Sequence, residues 1–364
     1  MVLARIRTPM AEIATMHTAL LLRWMPWALS LSCIVALHGC GDDIAEAGVT
    51  VKEVRYDTLG LPGGLTLVHC LYGEAADNMY AAGIGYTGNG AIWHFNGTRW
   101  TEEMFLARQG GVVDLWWICI EDMCVKNGVL YVAGSDGHDG VVLQKRDRVW
   151  TRLDNGGLPN LRSVIVDGSD AVCGDYNGRL YRFANGAMTV EESPFITSRA
   201  DDEYSSLTSI KPAVDGMLHF RMWYNVNQRS TNYVLSYANR TWDMLDSTTD
   251  ATWQLSLQDA VTYRGEVLGA HEEGVSFIRE SGRVPFFNTD GRASKVATNG
   301  DQVAVVVDKQ ILLYDQGYLY LLERVPSHLI VTRLFLVGDR VFATCADRSG
   351  GNPAPMLLQV QFAR

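Results

Sequence analysis

Short alternations of apolar and polar residues recur along most of the chain after residue 49. The clearest alternations extend from Ala91 to Phe95 and from Leu180 to Phe183, where neighbouring side chains would point to opposite faces of a strand. The pairs Asn96-Gly97 and Asn185-Gly186 follow them, and such pairs supply the positive φ angles of tight hairpin turns. The pattern predicts antiparallel strands joined by hairpins, and helical patterns are almost absent.

A longer unit repeats around these hairpins. It contains a short apolar strand, a turn rich in Gly, Asn and Asp, an alternating strand, a tight turn and a strand that often opens with Trp. Trp100, Trp150 and Trp242 occupy this last place, which predicts that they pack within the repeat. Another apolar strand precedes each copy, and the seven first strands recur at about 38 to 52 residues. They are Leu65–Tyr72, Trp116–Val125, Leu161–Val166, Leu207–Val214, Leu255–Tyr263, Ala293–Ala297 and Ile330–Val337.

This period is typical of four-stranded propeller blades. The seventh unit stops one strand short, and Val49 to Tyr56 can supply the missing strand, which would close the ring and remove its exposed edges. The sequence therefore predicts an all-β fold, a β-propeller of seven four-stranded blades closed by an N-terminal strand. Six or eight blades stay open as alternatives, because the third and fourth units are irregular.

The order of the second strand, the turn and the Trp resembles the repeats of kelch proteins. Kelch blades normally carry a Gly-Gly pair where this chain has Ala82-Gly83 and Ala133-Gly134. The resemblance implies a kelch-like architecture and not membership of the family. A fold shared in this way does not carry a function with it.

The N-terminal segment has the pattern of an export signal. Arg23 precedes the uncharged apolar stretch Met25 to Gly39, which is too short to span a bilayer comfortably. Its end, Leu37-His38-Gly39-Cys40, resembles the lipobox of bacterial lipoproteins. The resemblance implies cleavage before Cys40 and a diacylglycerol on its sulfur, and Gly41 after it favours the outer membrane. An N-terminal membrane anchor is the alternative.

These patterns divide the chain into a signal peptide over 1–39, a short tether over 40–48 and the propeller over 49–364. No other stretch reaches eighteen apolar residues without charge, so the body is predicted to be soluble and held to the cell envelope by lipid. Apolar residues make up 47% of the chain, enough to form a core, which excludes disorder. The net charge of -10 repels phosphate backbones and argues against nucleic acid as a partner.

Several motifs have a simple structural interpretation. Gly83 to Gly88 matches G-x-G-x-x-G, but a strand follows it instead of a helix, so it is predicted to be a hairpin loop and no cofactor is expected. The turn Ser135 to Gly140 lacks the last carboxylate of a calcium loop, and no metal ion is expected. Five cysteines remain after the signal and the lipid site, and their pairing cannot be deduced. They are Cys70, Cys119, Cys124, Cys173 and Cys345.

The loops of a propeller indicate where a ligand would bind. Loops that join second to third strands, and those that join one blade to the next, lie together on one face. Here they present aromatic, carboxylate and amide side chains, which suit a protein or carbohydrate partner. The candidate residues are Tyr86, Asn89, Trp116, Asp136, His138, Asp139, Asp175, Tyr176, Tyr224, Glu272 and Arg348.

The leading hypothesis is a monomeric, lipid-anchored envelope protein that serves as a non-catalytic binding or scaffold module, with an envelope protein or a glycan as its partner. The alternative is a hydrolase or lyase that acts on a glycan at the mouth of the channel. In that case His138, Asp139, Asp175 and Glu272 would be the acid and base candidates. A purely structural protein is the third possibility.

Overall fold

A computed structural model describes residues 48–58, 65–85, 90–103, 106–108, 112–114, 118–175, 179–191, 203–213, 216–225, 230–238, 241–250, 257–279, 281–289, 291–348 and 356–364. Seven four-stranded sheets and one two-stranded sheet occur in these ranges. Among the same residues, no helix has the length and apolar character needed to cross a membrane. The candidates Cys40, Tyr86, Asn89, Trp116 and Tyr176 lie outside the described residues.

The first four blades are built from strands that follow one another along the chain. The first contains β2 (Leu65–Ala75), β3 (Asn78–Gly85), β4 (Gly90–Phe95) and β5 (Trp100–Glu103). A small sheet of β6 (Leu106–Arg108) and β7 (Val112–Asp114) follows it. The second blade contains β8 (Cys119–Lys126), β9 (Val129–Ser135), β10 (Gly140–Arg146) and β11 (Val149–Arg152). The third contains β12 (Leu161–Asp167), β13 (Asp170–Asp175), β14 (Leu180–Ala184) and β15 (Ala187–Glu191), and the fourth β16 (Glu203–Ala213), β17 (Gly216–Asn225), β18 (Ser230–Ala238) and β19 (Thr241–Asp250).

The remaining blades repeat this order until the last one, which takes a strand from the start of the chain. The fifth contains β20 (Asp259–Tyr263), β21 (Glu266–His271), β22 (Gly274–Arg279) and β23 (Gly282–Asn288). The sixth contains β24 (Ala293–Thr298), β25 (Val303–Val307), β26 (Gln310–Asp315) and β27 (Tyr318–Arg324). The seventh contains β28 (Leu329–Val337), β29 (Arg340–Asp347), β30 (Met356–Ala363) and, beside β30, β1 (Thr50–Thr58).

The first strands of the blades pack side by side into a closed ring. β2 contacts β8, the contacts continue through β12, β16, β20 and β24 to β28, and β28 contacts β2. The chain is therefore a seven-bladed β-propeller, which confirms the predicted fold. Six and eight blades are excluded because seven four-stranded sheets are present.

The N-terminal strand supplies the outer edge of the seventh blade, as predicted. It also reaches the blades on either side. The Tyr56 hydroxyl donates to Glu323 Oε1 at 3.0 Å, which links β1 to the sixth blade. The Arg55 Nη1 donates to the carbonyl oxygen of Thr98 at 3.0 Å, which links β1 to the first. The ring is thus joined where the two ends of the propeller chain meet.

The start of the first strand departs from the sequence expectation by four residues in the fourth and in the fifth blade, where β20 begins at Asp259 and not at the predicted Leu255. β16 begins at Glu203, four residues before the predicted Leu207. The backbone of this polar start pairs with the end of β17, where Glu203 lies opposite Asn225 and Ser205 opposite Trp223. Backbone pairing extends the strand here without an alternating side-chain pattern.

The repeated tryptophans pack inside or against the outer part of their blades. Trp100 lies 5.1 Å from the Phe95 ring, and Trp242 lies 4.7 Å from the Tyr237 ring. Trp150 is 4% exposed. Trp100 and Trp242 thus pack on the residues opposite them in the third strand, and Trp150 is buried, so the repeat position serves packing as the sequence predicts.

The Asn-Gly turns adopt two geometries. Asn185 and Gly186 both have positive φ, as expected for a tight hairpin. In the pair Asn96-Gly97 only the glycine has a positive φ, of 90°. Asn96 instead uses its side chain, because its Oδ1 accepts hydrogen bonds from the backbone N–H groups of Thr98 and Arg99.

All five cysteines of the propeller are free thiols. Cys119 is half-buried, and its thiol donates to Glu121 Oε1 at 3.4 Å. Burial, with the charge of Glu121 and this hydrogen bond, raises the pKa of Cys119 to about 12. The sulfur therefore stays protonated at neutral pH.

Candidate functional site

The antiparallel strand order gives the propeller two distinct faces. The loop face is formed by the connections from second to third strands and from one blade to the next. The turn face is formed by the connections from first to second and from third to fourth strands. Neighbouring connections of the loop face are bonded to each other: Gly140 N–H donates to Leu158 O at 2.7 Å, and Asp308 N–H to Arg292 O at 3.0 Å. In the second and sixth blades these bonds tie the second-to-third connection to an interblade loop.

Carboxylates of the second blade hold its loop in shape. Asp136 Oδ1 accepts the N–H groups of His138 at 3.1 Å and Asp139 at 2.9 Å. Asp139 Oδ2 in turn accepts the N–H of Gly157 from the interblade loop at 3.1 Å. Burial acts to raise the pKa of Asp136, but the two backbone N–H groups and nearby Arg152 lower the pKa overall. Both aspartates thus order the backbone, and His138 is left exposed between them.

A buried aspartate that sequence reasoning missed supports the same loop. Asp154 Oδ2 accepts the N–H of Val142 at 2.8 Å, and its Oδ1 accepts that of Gly156 at 3.0 Å. Arg152 Nη2 lies 2.7 Å from Asp154 Oδ1, and its Nη1 lies 3.8 Å from Asp136 Oδ2. The available signal was an acid directly before a glycine-rich loop, where free N–H groups need an acceptor.

Asp175 lies inside the third blade and not on its surface. Its side chain is buried, Oδ1 accepts the N–H of Arg179 at 2.8 Å, and Oδ2 accepts the hydroxyl of Tyr181 at 3.1 Å. This position differs from the exposed one expected from the sequence. The carboxylate shapes the loop after β13, as Asp136 does after β9.

Replacing Asp175 with alanine should lower the free energy of unfolding by about 2 kcal/mol, because it leaves a buried hydroxyl and a backbone N–H without their acceptor. Burial first, and then the charge of Asp175, raise the pKa of Tyr181 to about 12. The same variant should therefore bring this pKa back toward its usual value near 10, as followed by ultraviolet titration. Tyr181→Phe is the control that identifies the shifted phenol. A variant of unchanged stability would show that water replaces the carboxylate.

The fifth blade contributes a histidine beside the predicted Glu272. His271 is buried, and its Nε2 lies 2.7 Å from the Ser276 Oγ. Its Nδ1 accepts the N–H of Glu273 at 3.3 Å, which makes Nε2 the protonated nitrogen that donates to Ser276. The imidazole thus closes its own turn and leaves Glu272 half-buried on the loop face.

The other described candidates are spread around the ring. Arg348 is exposed in the seventh blade, and its N–H donates to His328 O at 2.8 Å. Tyr224 lies in β17, opposite Tyr204 on one side and Ser230 on the other. The loop face therefore collects Asp136, His138, Asp139, Glu272 and Arg348 from three different blades.

The four acid and base candidates of the enzyme hypothesis come from three different blades. His138 and Asp139 belong to the second blade, Asp175 to the third and Glu272 to the fifth. Both oxygens of Asp175 are engaged within its own blade. In the described part of the chain, no group of three or more His, Cys, Asp or Glu residues could hold a metal ion.

Comparison with known proteins identifies the fold and no family. No model of a known protein family matches the chain, and no curated protein matches it by sequence. A structure of YCF48 bound to D1 peptide is similar at a TM-score of 0.56 and 10% identity, over 86% of this chain and 99% of that one. A chain of the Mitotic Checkpoint Complex is similar at a TM-score of 0.55 and 11% identity, over 88% of this chain and 94% of that one. The extracellular domain of BT4673 from B. thetaiotaomicron is similar at a TM-score of 0.51 and 12% identity, over 83% of this chain and 39% of that one. At these identities the likeness shows the fold alone, that of a β-propeller protein.

Proposed function

We propose that this chain is a non-catalytic binding module whose loop face takes an envelope protein as its partner, and that a lipid on Cys40 holds it to the membrane. The observation that carries the proposal is the ordering of the loop face by its own carboxylates. Asp136, Asp139, Asp154 and Asp175 each accept a backbone N–H group of the loops. A surface ordered before binding loses less conformational entropy when a partner docks.

The structural neighbours support a binding role. YCF48 was solved with a D1 peptide, and another similar chain is part of the Mitotic Checkpoint Complex. BT4673 supports an extracytoplasmic place for such a fold, since the similar part is an extracellular domain. These likenesses point to no particular partner, because a fold hosts many functions.

The lipid anchor rests on the residues around Cys40. The apolar stretch Met25 to Gly39 ends directly at this cysteine, and β1 begins at Thr50. A short tether therefore separates the proposed lipid from the propeller. Stable anchoring by acyl chains needs more than one of them, which a lipoprotein N-terminus provides.

Site-specific photo-crosslinking in the native host tests this function. A photoreactive phenylalanine analogue at His138 or Arg348 should capture one defined envelope protein, because both side chains are exposed on the loop face. The matched control is position Asp339, which is exposed on the turn face. The Cys40→Ala variant should lose its lipid mass and leave the membrane fraction, whereas Cys119→Ala should stay.

The outcomes separate the parts of the proposal. Equal capture at Asp339, or no capture at either loop-face position, would contradict a binding loop face. Capture of glycan alone would replace the protein partner by a carbohydrate. A Cys40→Ala protein that remains in the membrane fraction would remove the lipid anchor.

A further inference from the structure

A groove lies at the outer rim of the propeller where the ring is joined. Its walls are β1 of the seventh blade and the β4–β5 hairpin of the first, and its cavity volume is about 280 Å³. We call it the seam groove. It is lined by Arg55, Asp57, Thr58, Trp93, Arg99, Trp100 and Glu102.

One wall holds a guanidinium in a fixed orientation. Arg55 Nε donates to Asp57 Oδ1 at 2.7 Å, and its Nη1 donates to Thr98 O at 3.0 Å. A guanidinium has five N–H donors in a rigid plane, so further donors remain for a ligand. The Arg55 side chain is 39% exposed, which makes them accessible from the groove.

The other wall is aromatic. Trp100 is half-buried, and its ring rests against Phe95. Trp93 lies beneath at 2% exposure, directly across the ladder from Glu102. An indole held in this way offers a rigid apolar face without the entropy cost of ordering a flexible side chain.

Two charged side chains of the lining have no partner among the residues that the structure describes. Neither the Arg99 nor the Glu102 side chain makes a hydrogen bond or ion pair with the described residues, and both residues are exposed. Although the residue is exposed, partial burial of its carboxyl raises the pKa of Glu102 from its ordinary value. The groove therefore combines an unused acceptor and an unused donor beside an aromatic face.

We propose that the seam groove binds a small neutral saccharide. The C–H face of a sugar ring would pack on Trp100, its hydroxyls would donate to Glu102, and they would accept from Arg55 and Arg99. The two arginines balance the two carboxylates Asp57 and Glu102, which suits a neutral polyhydroxyl ligand better than an anion. The groove volume of about 280 Å³ lies at the lower end of ligand pockets, which start at about 300 Å³, so the ligand is a small one such as a monosaccharide or the end of a disaccharide.

The seam groove uses one copy of the repeated tryptophan position. Trp100, Trp150 and Trp242 share one position of the repeat, yet only Trp100 lines the seam groove. Trp150 is buried in the second blade, and Trp242 packs on Tyr237 in the fourth. The neighbouring β1 strand is what turns a packing position into a binding position.

Saturation-transfer NMR and tryptophan fluorescence on the full chain test the proposal, with glucose, galactose, N-acetylglucosamine and chitobiose as probes. At least one probe should bind saturably, and Trp100→Ala and Glu102→Gln should each weaken it roughly tenfold or more. Trp242→Ala is the matched control and should leave the dissociation constant unchanged. Arg99→Gln should also weaken binding. Neither the Arg99 nor the Glu102 side chain has a partner in the described part of the chain, so both polar variants should keep the wild-type melting temperature.

Three results would overturn the saccharide site. No saturable binding of any probe would remove the ligand class. Unchanged affinity in Trp100→Ala, Arg99→Gln and Glu102→Gln would place the binding elsewhere. An equal loss in Trp242→Ala would show that binding follows the stability of the fold and not the groove.

Discussion

Replacing Lys145 with methionine is expected to lower the free energy of unfolding by about 3 kcal/mol. Lys145 Nζ lies 2.5 Å from Glu103 Oε1, and the two side chains are only 10% and 13% exposed. The pair joins β10 of the second blade to β5 of the first, and the ammonium also lies 5.4 Å from the Tyr80 ring centre. Removal of the cation leaves a carboxylate with little access to water. Urea denaturation followed by circular dichroism measures the loss.

An exposed ion pair of the same kind provides the control. Arg279 and Glu266 are 45% and 44% exposed, so Arg279→Met should cost less than about 1 kcal/mol. The double variant Lys145→Met with Glu103→Gln should be more stable than the sum of the single effects predicts, because no buried charge is left uncompensated. A loss from Lys145→Met no larger than that from Arg279→Met would show that water reaches the pair freely.

Deletion of residues 1–58 is expected to lower the melting temperature by about 10 °C or more. Each kcal/mol of unfolding free energy that is lost lowers the melting temperature of a large domain by roughly 2–4 °C. The deletion removes β1, exposes the edge of β30 and breaks the bonds of Tyr56 to Glu323 and of Arg55 to Thr98. An unpaired strand edge also promotes association between molecules. Differential scanning fluorimetry and light scattering report the two effects.

Addition of the missing strand in trans makes this test specific. A synthetic peptide of Thr50–Thr58 should restore much of the melting temperature, because it can pair with β30 as β1 does. The same peptide with Val54→Pro should restore less, since proline lacks the N–H of a strand ladder. In the full chain, Tyr56→Phe should cost only about 1 kcal/mol. A truncated protein as stable as the full chain would contradict closure by β1.

Much of the fold could be predicted because its signals are local. The alternation of Ala91 to Phe95, the Asn185-Gly186 turn and the repeated Trp position each act over a few residues. Strand type, turn type and repeat length follow from such short-range preferences. The start of β16 was missed because the pairing of Glu203 with Asn225 follows from strand register and not from side-chain pattern.

The candidate site was only partly predictable. Topology alone places Asp136 and His138 on the loop face, and the structure has them in the connection after β9. The sequence could not show that the Asp175 side chain points inward to Tyr181, because a turn residue has the same sequence pattern whether its side chain points out or in. Asp154 was missed for the same reason.

The sequence by itself determined what depends on neighbours along the chain: an all-β repeat with the period of propeller blades, a final unit one strand short, and an N-terminal segment able to complete it. The tertiary structure alone decided what depends on residues far apart in the chain. It brought β1 beside both the sixth and the first blade, buried the Lys145–Glu103 pair between two blades, and formed the seam groove from Arg55 and Trp100. The physical reason is that short-range preferences set the strands, whereas burial and charge pairing depend on which strands the closed ring makes neighbours.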